Sequence, residues 1–229
     1  MRPWLALLSP LALAGCTAVA TDPRPAAYFE DEIAVGTPSL IAGAQGTLTD
    51  ADIERILQHR YKPPALSRVA LLSDGWSSWG AWSDDLALVT EDIDEGTIAR
   101  LEDSAMVYDA AFLPSMLVPE QRSIAGLREA AARFQADLLL VYRVDCRTFR
   151  KFRLLFAHKA RSRCVVETVL LDVRTGLVPF AIASSRVFDT EETDADLNFT
   201  ETQLRSQLKA ISEAMGEIAP AVVAFLEAR

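Results

Sequence analysis

The sequence has few of the residues and patterns on which many enzyme active sites depend. It contains two histidines, His59 and His158, and neither lies in a HExxH or HxH pattern, so a zinc site is not expected. It also lacks the GxSxG pattern of many serine hydrolases and a glycine-rich phosphate loop. We therefore predict a protein that is not an enzyme and that holds no metal and no cofactor.

Basic residues are outnumbered as well. The chain has 23 Lys+Arg against 32 Asp+Glu, for a formal net charge of −9. Nonspecific binding to nucleic acid depends on a net basic surface. The composition therefore predicts no nucleic-acid partner.

The N-terminus has the pattern of a secretory signal. Arg2 precedes an apolar run, Pro3–Leu13, that is too short for a transmembrane helix, which needs about 20 residues. The next residues complete Leu13-Ala14-Gly15-Cys16, which resembles the lipobox of bacterial lipoproteins. The resemblance implies cleavage between Gly15 and Cys16 and a diacylglycerol on the Cys16 sulfur, which anchors the chain in a membrane once its amine is also acylated. A plain secreted protein is the alternative.

The residue after the cysteine bears on the destination. Thr17 stands where an Asp retains bacterial lipoproteins at the inner membrane, so the resemblance implies an anchor in the outer membrane, with the protein facing the periplasm. Pro and Gly recur through residues 17–47 without a sustained period, which predicts a flexible tether with a reach of roughly 30 Å. We assign residues 1–15 to the signal peptide, 16–47 to lipidated Cys16 and the tether, and 48–229 to one globular domain.

The globular part alternates strands and helices before a run of consecutive strands. The sequence predicts, in order, a short helix capped by Thr49, a strand over Ser67–Leu72, a helix around Ile93–Leu101, a strand over Met106–Leu113, a helix introduced by Pro119, a strand hairpin, a strand over Val178–Phe188 with Pro179 suited to an edge, and a long C-terminal helix. This order predicts an α+β fold, a mixed α/β sandwich with a sheet of about five strands covered by helices.

The hairpin has the strongest local pattern. When Cys146 is placed opposite Cys164, Arg143 meets Glu167 and apolar residues meet apolar residues, whereas Arg147 opposite Arg163 is unfavourable. In an oxidising envelope the two cysteines are candidates for a disulfide, and two reduced core cysteines are the alternative.

The C-terminal helix is predicted from an apolar stripe at three- and four-residue spacing. Thr200 and Gln203 fit a capping box at its start, and Pro220 is expected to kink it. Packing against the chain's own sheet is the expected role of the stripe, and a seam with a second copy or another partner is the alternative.

Three short segments resemble those of known bacterial lipoproteins. They are Ser67–Leu72, Ala136–Val141 and Val169–Gly176, the last with an Asp-x-x-Thr-Gly turn. In this respect the chain resembles the curli-secretion-channel lipoproteins and the lipoprotein activators of penicillin-binding proteins. The resemblance implies a fold and a role in the cell envelope, and it supplies no catalytic residues.

Two surface features remain as candidates for partner binding. Trp76, Trp79 and Trp82 are typical of partner, glycan or membrane-interface contacts, with a cover over the domain's own core as the alternative. The hairpin tip combines aromatic residues with Arg150, Lys151 and Arg153, which suits an anionic lipid or an acidic partner, with a solvated turn as the alternative.

Three functions follow from these patterns. The first is a tethered, non-enzymatic binding, assembly or regulatory module with an envelope protein as its partner. The second is a subunit of an oligomeric secretion or transport assembly, which would make the chain a homo-oligomer. The third is an envelope hydrolase with a carboxylate pair, which requires a cleft that holds two acids.

Overall fold

The computed structural model describes residues 48–74, 84–120, 122–151, 157–194, 196 and 198–228, with only the main chain at 29–30 and 84–85. Cys16, the three tryptophans at 76, 79 and 82, and Arg153 lie outside the described residues. The proposed signal peptide and nearly all of the proposed tether lie outside them too.

Six strands form one mixed sheet. They are β1 (Phe29–Glu30), β2 (Ser67–Asp74), β3 (Val107–Phe112), β4 (Leu138–Lys151), β5 (Lys159–Asp172) and β6 (Phe180–Glu191). Their order is β3-β2-β4-β5-β6, and the short β1 pairs with the far end of β4. The first three strands of this order run parallel, whereas β4, β5 and β6 are antiparallel. The predicted α+β class is confirmed.

The described residues form four α-helices. They are α1 (Asp50–Gln58), α2 (Asp84–Glu102), α3 (Ile124–Arg133) and α4 (Phe199–Glu227). On one face, α2 and α4 cover even-numbered residues of β4 such as Leu140, and on the other face α3 covers odd-numbered ones such as Leu139. Because strand side chains alternate, the continuous apolar run at the start of β4 supplies both cores at once.

The predicted register of the hairpin is confirmed along its whole length. Cys146 lies opposite Cys164, Arg143 opposite Glu167, and Arg147 opposite Arg163. The structure joins the two cysteine sulfurs in a disulfide, and their Cα atoms are 4.1 Å apart. The prediction that the strand after Pro179 lies at an edge is also confirmed, since β6 ends the sheet.

Three helix starts differ from the predictions. Helix α4 begins at Asn198, whose side chain accepts hydrogen bonds from the main-chain N–H groups of Thr200 and Glu201, so the predicted capping box at Thr200 is wrong. Helix α3 begins after Ser123, which caps it through its hydroxyl, and not at Pro119. Helix α2 starts at Asp84, well before Ile93, because Leu86, Val89 and Ile93 continue one apolar face at three- and four-residue spacing and Leu86 is buried.

Helix α1 confirms its predicted cap but is not part of the core. Thr49 and Asp52 form a reciprocal capping box, yet no residue of the helix is buried. The segment that follows does pack, because the ring of Tyr61 stacks on Phe225 of α4 with centroids 6.2 Å apart. Burial raises the pKa of the Tyr61 hydroxyl to about 12.

A polar network lies between α4 and the hairpin. The hydroxyls of Thr148 and Ser162 are 2.9 Å apart, Ser162 also bonds to Ser206, and the amide of Gln207 donates to Thr148 at 2.8 Å. Ser206 and Lys209 have an SxxK spacing that the sequence analysis passed over. Ser206 is buried and its hydroxyl donates to the carbonyl of Gln203, whereas Lys209 is exposed, so this serine has a structural role.

The Asp-x-x-Thr-Gly segment forms the turn after β5. Asp172 accepts hydrogen bonds from the main-chain N–H and the hydroxyl of Thr175, and the N–H of Gly176 donates to the carbonyl of Asp172 at 2.8 Å. Gly176 has a φ of 78°, and the side chain of Arg128 crosses over it. This guanidinium donates to the carbonyls of Val173 and Arg174, so it fastens the turn to α3.

Gly176→Ala is expected to lower the free energy of unfolding by about 1–2 kcal/mol, because an alanine is strained at positive φ. Its Cβ would also lie only 3.0 Å from Cδ of Arg128. Urea unfolding of both proteins measures the difference.

Gly96→Ala is the matched control, since a Cβ at Gly96 meets nothing within 4 Å and the residue lies inside α2. This change should be neutral or stabilise the fold by up to about 1 kcal/mol. Equal stability of the two variants would contradict the assignment of Gly176 to a strained, covered turn.

Candidate ligand-binding cleft

A cleft of about 450 Å³ opens at the carboxyl edge of the parallel strands. Strands β2 and β3 end here side by side because they run in the same direction, and β4 passes beside them and continues to Lys151. In sheets with parallel strands this edge is the usual site of ligand binding. The lining residues are Leu71, Leu72, Ser73, Asp94, Phe112, Leu113, Ser115, Val118, Pro119, Glu120, Arg122 and Tyr142.

Two groups of different character line this cleft. Strand ends and the segment after β3 supply an apolar lining, with Leu72, Phe112 and Val118 as examples. Polar groups converge on it from α2, from the end of β2, from Tyr142 in β4, and from the 3-10 turn at Ser115–Leu117. The exposed lining is more polar than apolar, so the cavity suits a ligand or partner side chains that bring hydrogen-bonding groups as well as apolar surface.

The carboxyl of Asp94 is the most perturbed acid described near the cleft. Burial raises its pKa to about 6, and a hydrogen bond from the Tyr142 hydroxyl opposes the shift in part. Burial, and then the nearby Asp94 carboxyl, raises the pKa of Tyr142 well above its ordinary value. Ser73 hydrogen-bonds the same phenol, so Ser73 of β2, Tyr142 of β4 and Asp94 of α2 form a connected polar row.

A second polar group lies at the rim of the cleft. The buried carboxylate of Asp74 accepts hydrogen bonds from Arg122 and Arg143, and only 6% of its side chain is exposed. Arg143 belongs to β4 next to Asp74 in the sheet, whereas Arg122 comes from the segment before α3. This carboxylate therefore fixes the position of one lining residue, Arg122.

The arrangement suits binding more clearly than catalysis. Asp94 accepts a hydrogen bond from Tyr142, and Arg122 is engaged by Asp74, so both groups are oriented before any ligand arrives. Glu120 places a second carboxylate in the lining. Two acids therefore line the cleft.

The structure does not bring the sequence-predicted surface residues into this cleft. Arg150 and Lys151 lie at the carboxyl end of β4, beyond its pairing with β2, and the tryptophans and Arg153 lie outside the described residues. Near Lys151, two basic residues of β5 pair with acids of β6: Lys159 pairs with Glu191, and Arg161 binds Asp189 through two hydrogen bonds of 2.5 and 2.8 Å. Arg161 holds the pKa of Asp189 below its ordinary value.

Sequence reasoning missed the residues of the cleft. Asp94 belongs to an acidic segment that reads as a solvated helix start, and Asp74 belongs to a Ser-Asp-Gly turn signal. The available signal was positional, because Ser73 and Asp74 follow a predicted buried strand, and residues at that edge commonly bind ligands.

Within the described part of the chain, no group of three or more His, Cys, Asp and Glu residues is placed to hold a metal ion. Nor does any described helix combine the length and apolar character needed to span a membrane.

Asp74→Ala is expected to lower the free energy of unfolding by about 3 kcal/mol, because it leaves two partly buried guanidiniums without their carboxylate. The side chains of Arg122 and Arg143 are 31% and 22% exposed. Urea unfolding measures the difference.

Asp145→Ala is the control, since it removes an exposed carboxylate from β4 and should change the free energy of unfolding by less than about 0.5 kcal/mol. Equal losses for the two variants would contradict a stabilising role for the ion pairs of Asp74.

Asp94→Asn is expected to become more stable relative to the unchanged protein as pH rises from 4 to 7. The folded protein keeps the Asp94 proton up to a pKa of about 6, above the value of an unfolded Asp, so the wild type loses stability through this window. The loss should be on the order of 1 kcal/mol, since solvent screens a half-exposed group. Urea unfolding at both pH values measures it, with exposed Asp92→Asn on the same helix as control. A stability difference between Asp94→Asn and the unchanged protein that does not vary with pH would contradict a raised pKa for Asp94.

No protein-family model matches the sequence, and no curated protein matches it. The chain is similar to several solved structures of bacterial envelope proteins. They include a candidate lipoprotein of Caulobacter crescentus (13% identity, 69% of this chain and 89% of that one, TM-score 0.36), the PelC dodecamer of Paraburkholderia phytofirmans (17%, 68% and 94%, TM-score 0.31), and a minor lipoprotein of Acinetobacter baumannii (13%, 69% and 90%, TM-score 0.32).

Proposed function

We propose that the chain is a lipid-anchored protein of the bacterial outer membrane whose folded part is a non-enzymatic binding, assembly or regulatory module. The observation that carries the proposal is the cleft at the carboxyl ends of β2 and β3, where preorganised polar groups and apolar side chains line one cavity. The lipobox-like residues ending at Cys16 support the anchor. The resemblance to envelope lipoproteins, carried by the segments over Ser67–Leu72 and Val169–Gly176, supports a partner in the same compartment.

The proposed ligand has an apolar part and hydrogen-bonding groups. The apolar part would occupy the space between Phe112 and Val118, and its polar groups would meet Asp94 and Arg122. A cavity of about 450 Å³ is in the range of small-molecule sites. It also accommodates two or three side chains from a protein partner.

Replacement of the lipidated cysteine tests the anchor. Cys16→Ser is expected to move the protein from the membrane fraction to the soluble envelope fraction and to abolish incorporation of labelled palmitate, because no thiol remains to take the lipid. The control is the double variant Cys146→Ser, Cys164→Ser, which removes the other two cysteines and should stay in the membrane. Membrane retention of Cys16→Ser would overturn the anchor.

Filling the cleft tests the binding site. Ser115 lines the cleft, whereas the next residue, Met116, is 95% exposed and points elsewhere. Ser115→Trp should reduce in-cell crosslinking to the partner by about tenfold or more, which corresponds to about 1.4 kcal/mol, and Met116→Trp should leave it unchanged. Mass spectrometry of the captured protein gives the measurement. Equal capture by the two variants would exclude the cleft as the site.

A carboxylate-pair hydrolase is the second candidate, and the presence of Asp94 and Glu120 in one cleft favours it. The variant Glu120→Gln distinguishes the two functions. A hydrolase would lose turnover of an envelope polymer while it still bound it, whereas a binding module shows no turnover before or after the change.

A further inference from the structure

The hairpin of β4 and β5 is basic between its two cysteines. Residues 147–163 contain seven Lys and Arg residues and no Asp or Glu, in a chain whose formal net charge is −9. The charge balance of the whole chain is therefore reversed along this one hairpin. Such a local reversal suits contact with an anionic surface.

The side chains at this end of the hairpin lie on two faces of the sheet. Even-numbered residues face α4, since the hydroxyls of Thr148 and Ser162 are hydrogen-bonded to each other and Ser162 also bonds to Ser206. Odd-numbered residues therefore lie on the opposite face, which α3 covers near the start of β4, around Leu139. Farther along the strands, this face carries five cations that we call the basic ladder: Arg147, Lys151, Lys159, Arg161 and Arg163.

The basic ladder contains two pairs of like charge that lie directly opposite each other. Arg147 is opposite Arg163, and Lys151 is opposite Lys159. Like charges at such cross-strand positions destabilise a sheet, and both arginines are exposed. The two pairs therefore lower the stability of the free protein, and an anion bound between their members would relieve the repulsion.

Acids of β6 offset two of the five cations. Lys159 pairs with Glu191, and Arg161 pairs with Asp189. The side chains of all four residues are between 39% and 59% exposed, and exposed ion pairs of this kind contribute little to stability. They line an open hollow of about 470 Å³, so a phosphate group could reach the cations.

The other cations keep the basic ladder positive. Arg163 donates a hydrogen bond to the neutral hydroxyl of Ser185, and Lys151 forms no ion pair with a described residue. Asp145 is a further exposed acid on the same face, so three acids stand against five cations there. The surplus of positive charge selects an anionic partner.

The proposed tether meets the domain beside the same cations. Strand β1 pairs with the end of β4, and Phe29 lies opposite Arg150. Because the pairing is antiparallel, β1 runs away from the hairpin tip, and its first residue is the one nearer to that tip. Thirteen residues, 16–28, separate β1 from Cys16 and its preceding bond, and a flexible chain of this length has a root-mean-square reach of about 20 Å. An anchor on Cys16 would therefore keep the basic ladder near the lipid surface.

We propose that the basic ladder binds the anionic phospholipid headgroups of the membrane that would hold the lipidated Cys16. The proposal rests on the anchor of the proposed function and adds an electrostatic contact to it. A headgroup phosphate accepts hydrogen bonds from two guanidiniums at once, so it suits the opposed pair Arg147 and Arg163. A lipid on a flexible tether holds a protein without orienting it, whereas this contact would place the hairpin end of the sheet against the membrane.

The same contact would set the position of the cleft. Strands β2 and β3 run parallel to β4, so the cleft at their carboxyl ends lies on the side of the domain that faces the membrane. Nine residues of β4 separate Tyr142 in the cleft from Lys151, which corresponds to about 30 Å. A partner in the cleft would therefore lie close to the same membrane.

Vesicle flotation tests the basic ladder without the lipid anchor. The mature chain with Cys16→Ser has no acyl chain, so its binding depends on surface contact alone. Phosphatidylcholine vesicles with about 30% phosphatidylglycerol should bind it about tenfold or more tightly than pure phosphatidylcholine vesicles. About 0.5 M salt should remove the difference, because the Debye length is then only about 4 Å.

Three outcomes of this measurement would overturn the lipid contact. They are equal binding to the two kinds of vesicle, no binding to either, and a difference that salt does not reduce. Binding to polyglutamate but to neither kind of vesicle would overturn it as well, and would assign the basic ladder to an acidic protein surface.

A double variant tests the residues. Lys151→Gln with Arg163→Gln removes one cation from each opposed pair. A Lys or Arg beside an anionic membrane strengthens binding about fivefold, so binding to the anionic vesicles should fall about tenfold or more. The unfolding midpoint in urea should stay the same or rise, since repulsion within both pairs is relieved. A residue with a merely structural role would instead lower that midpoint when it is replaced.

Arg55→Gln with Arg133→Gln is the matched control. It removes the same two charges from α1 and α3, where these side chains are 76% and 70% exposed, and it should change vesicle binding by less than about twofold. Equal losses for the two double variants would show that net charge, and not the basic ladder, decides binding, and would overturn the proposal.

The result is distinguishable from failure of the anchor or the cleft. Palmitate incorporation at Cys16 reports on the anchor, and cell fractionation in about 0.5 M salt does so too, because that salt removes the electrostatic contact. Ser115→Trp reports on the cleft. Failed vesicle binding with intact palmitate labelling would leave the anchored binding module standing without an oriented domain.

Conversely, vesicle binding by a chain that takes up no palmitate would leave the lipid contact standing without its anchor.

Discussion

The alternation of side chains along β4 is the constraint on which the rest of the structure depends. This strand pairs with β2 on one side and with β5 on the other, and its odd and even residues face two different cores. A slip of one residue would exchange Leu139 with Leu140 and move every later side chain to the opposite face. The slip would also separate Arg143 from Asp74 and Tyr142 from Ser73, which are neighbours across the β2–β4 pairing. The two cores, the ion pair of Asp74 with Arg143 and the contact of Tyr142 with Ser73 therefore all depend on one pairing register of β4.

The sequence determines that register through pairs that can be recognised locally. Opposite charges at Arg143 and Glu167, and the match of Cys146 with Cys164, lie within a single hairpin, so a short window contains all the information needed. The cap at Thr49 and the edge position after Pro179 are local in the same sense. These elements could be predicted because short-range chemistry alone decides them.

The elements that could not be predicted depend on distant partners. Helix α2 starts nine residues before Ile93 and packs against α4, a helix more than 100 positions later in the chain. Asp94 and Tyr142 are 48 positions apart in the chain, and Asp74 meets Arg122 across an intervening strand and helix. Nothing in either local sequence indicates the other residue. The cleft thus results from topology, since parallel strands require crossovers that bring remote segments to a common edge.

The two halves of the sheet differ in what they offer to a partner. In the parallel half, the connections over α2 and α3 leave an open cleft at the carboxyl ends of β2 and β3, which suits a ligand or a few side chains. In the antiparallel half, β6 pairs with β5 without a bulge and ends the sheet. Arg186 lies at this edge, where its guanidinium donates to the carbonyl of Ser185 and to the carboxylate of Glu217 in α4. A charged side chain at an edge strand disfavours the addition of another strand. The fold therefore offers a partner the cleft of its parallel half more readily than the edge of its antiparallel half.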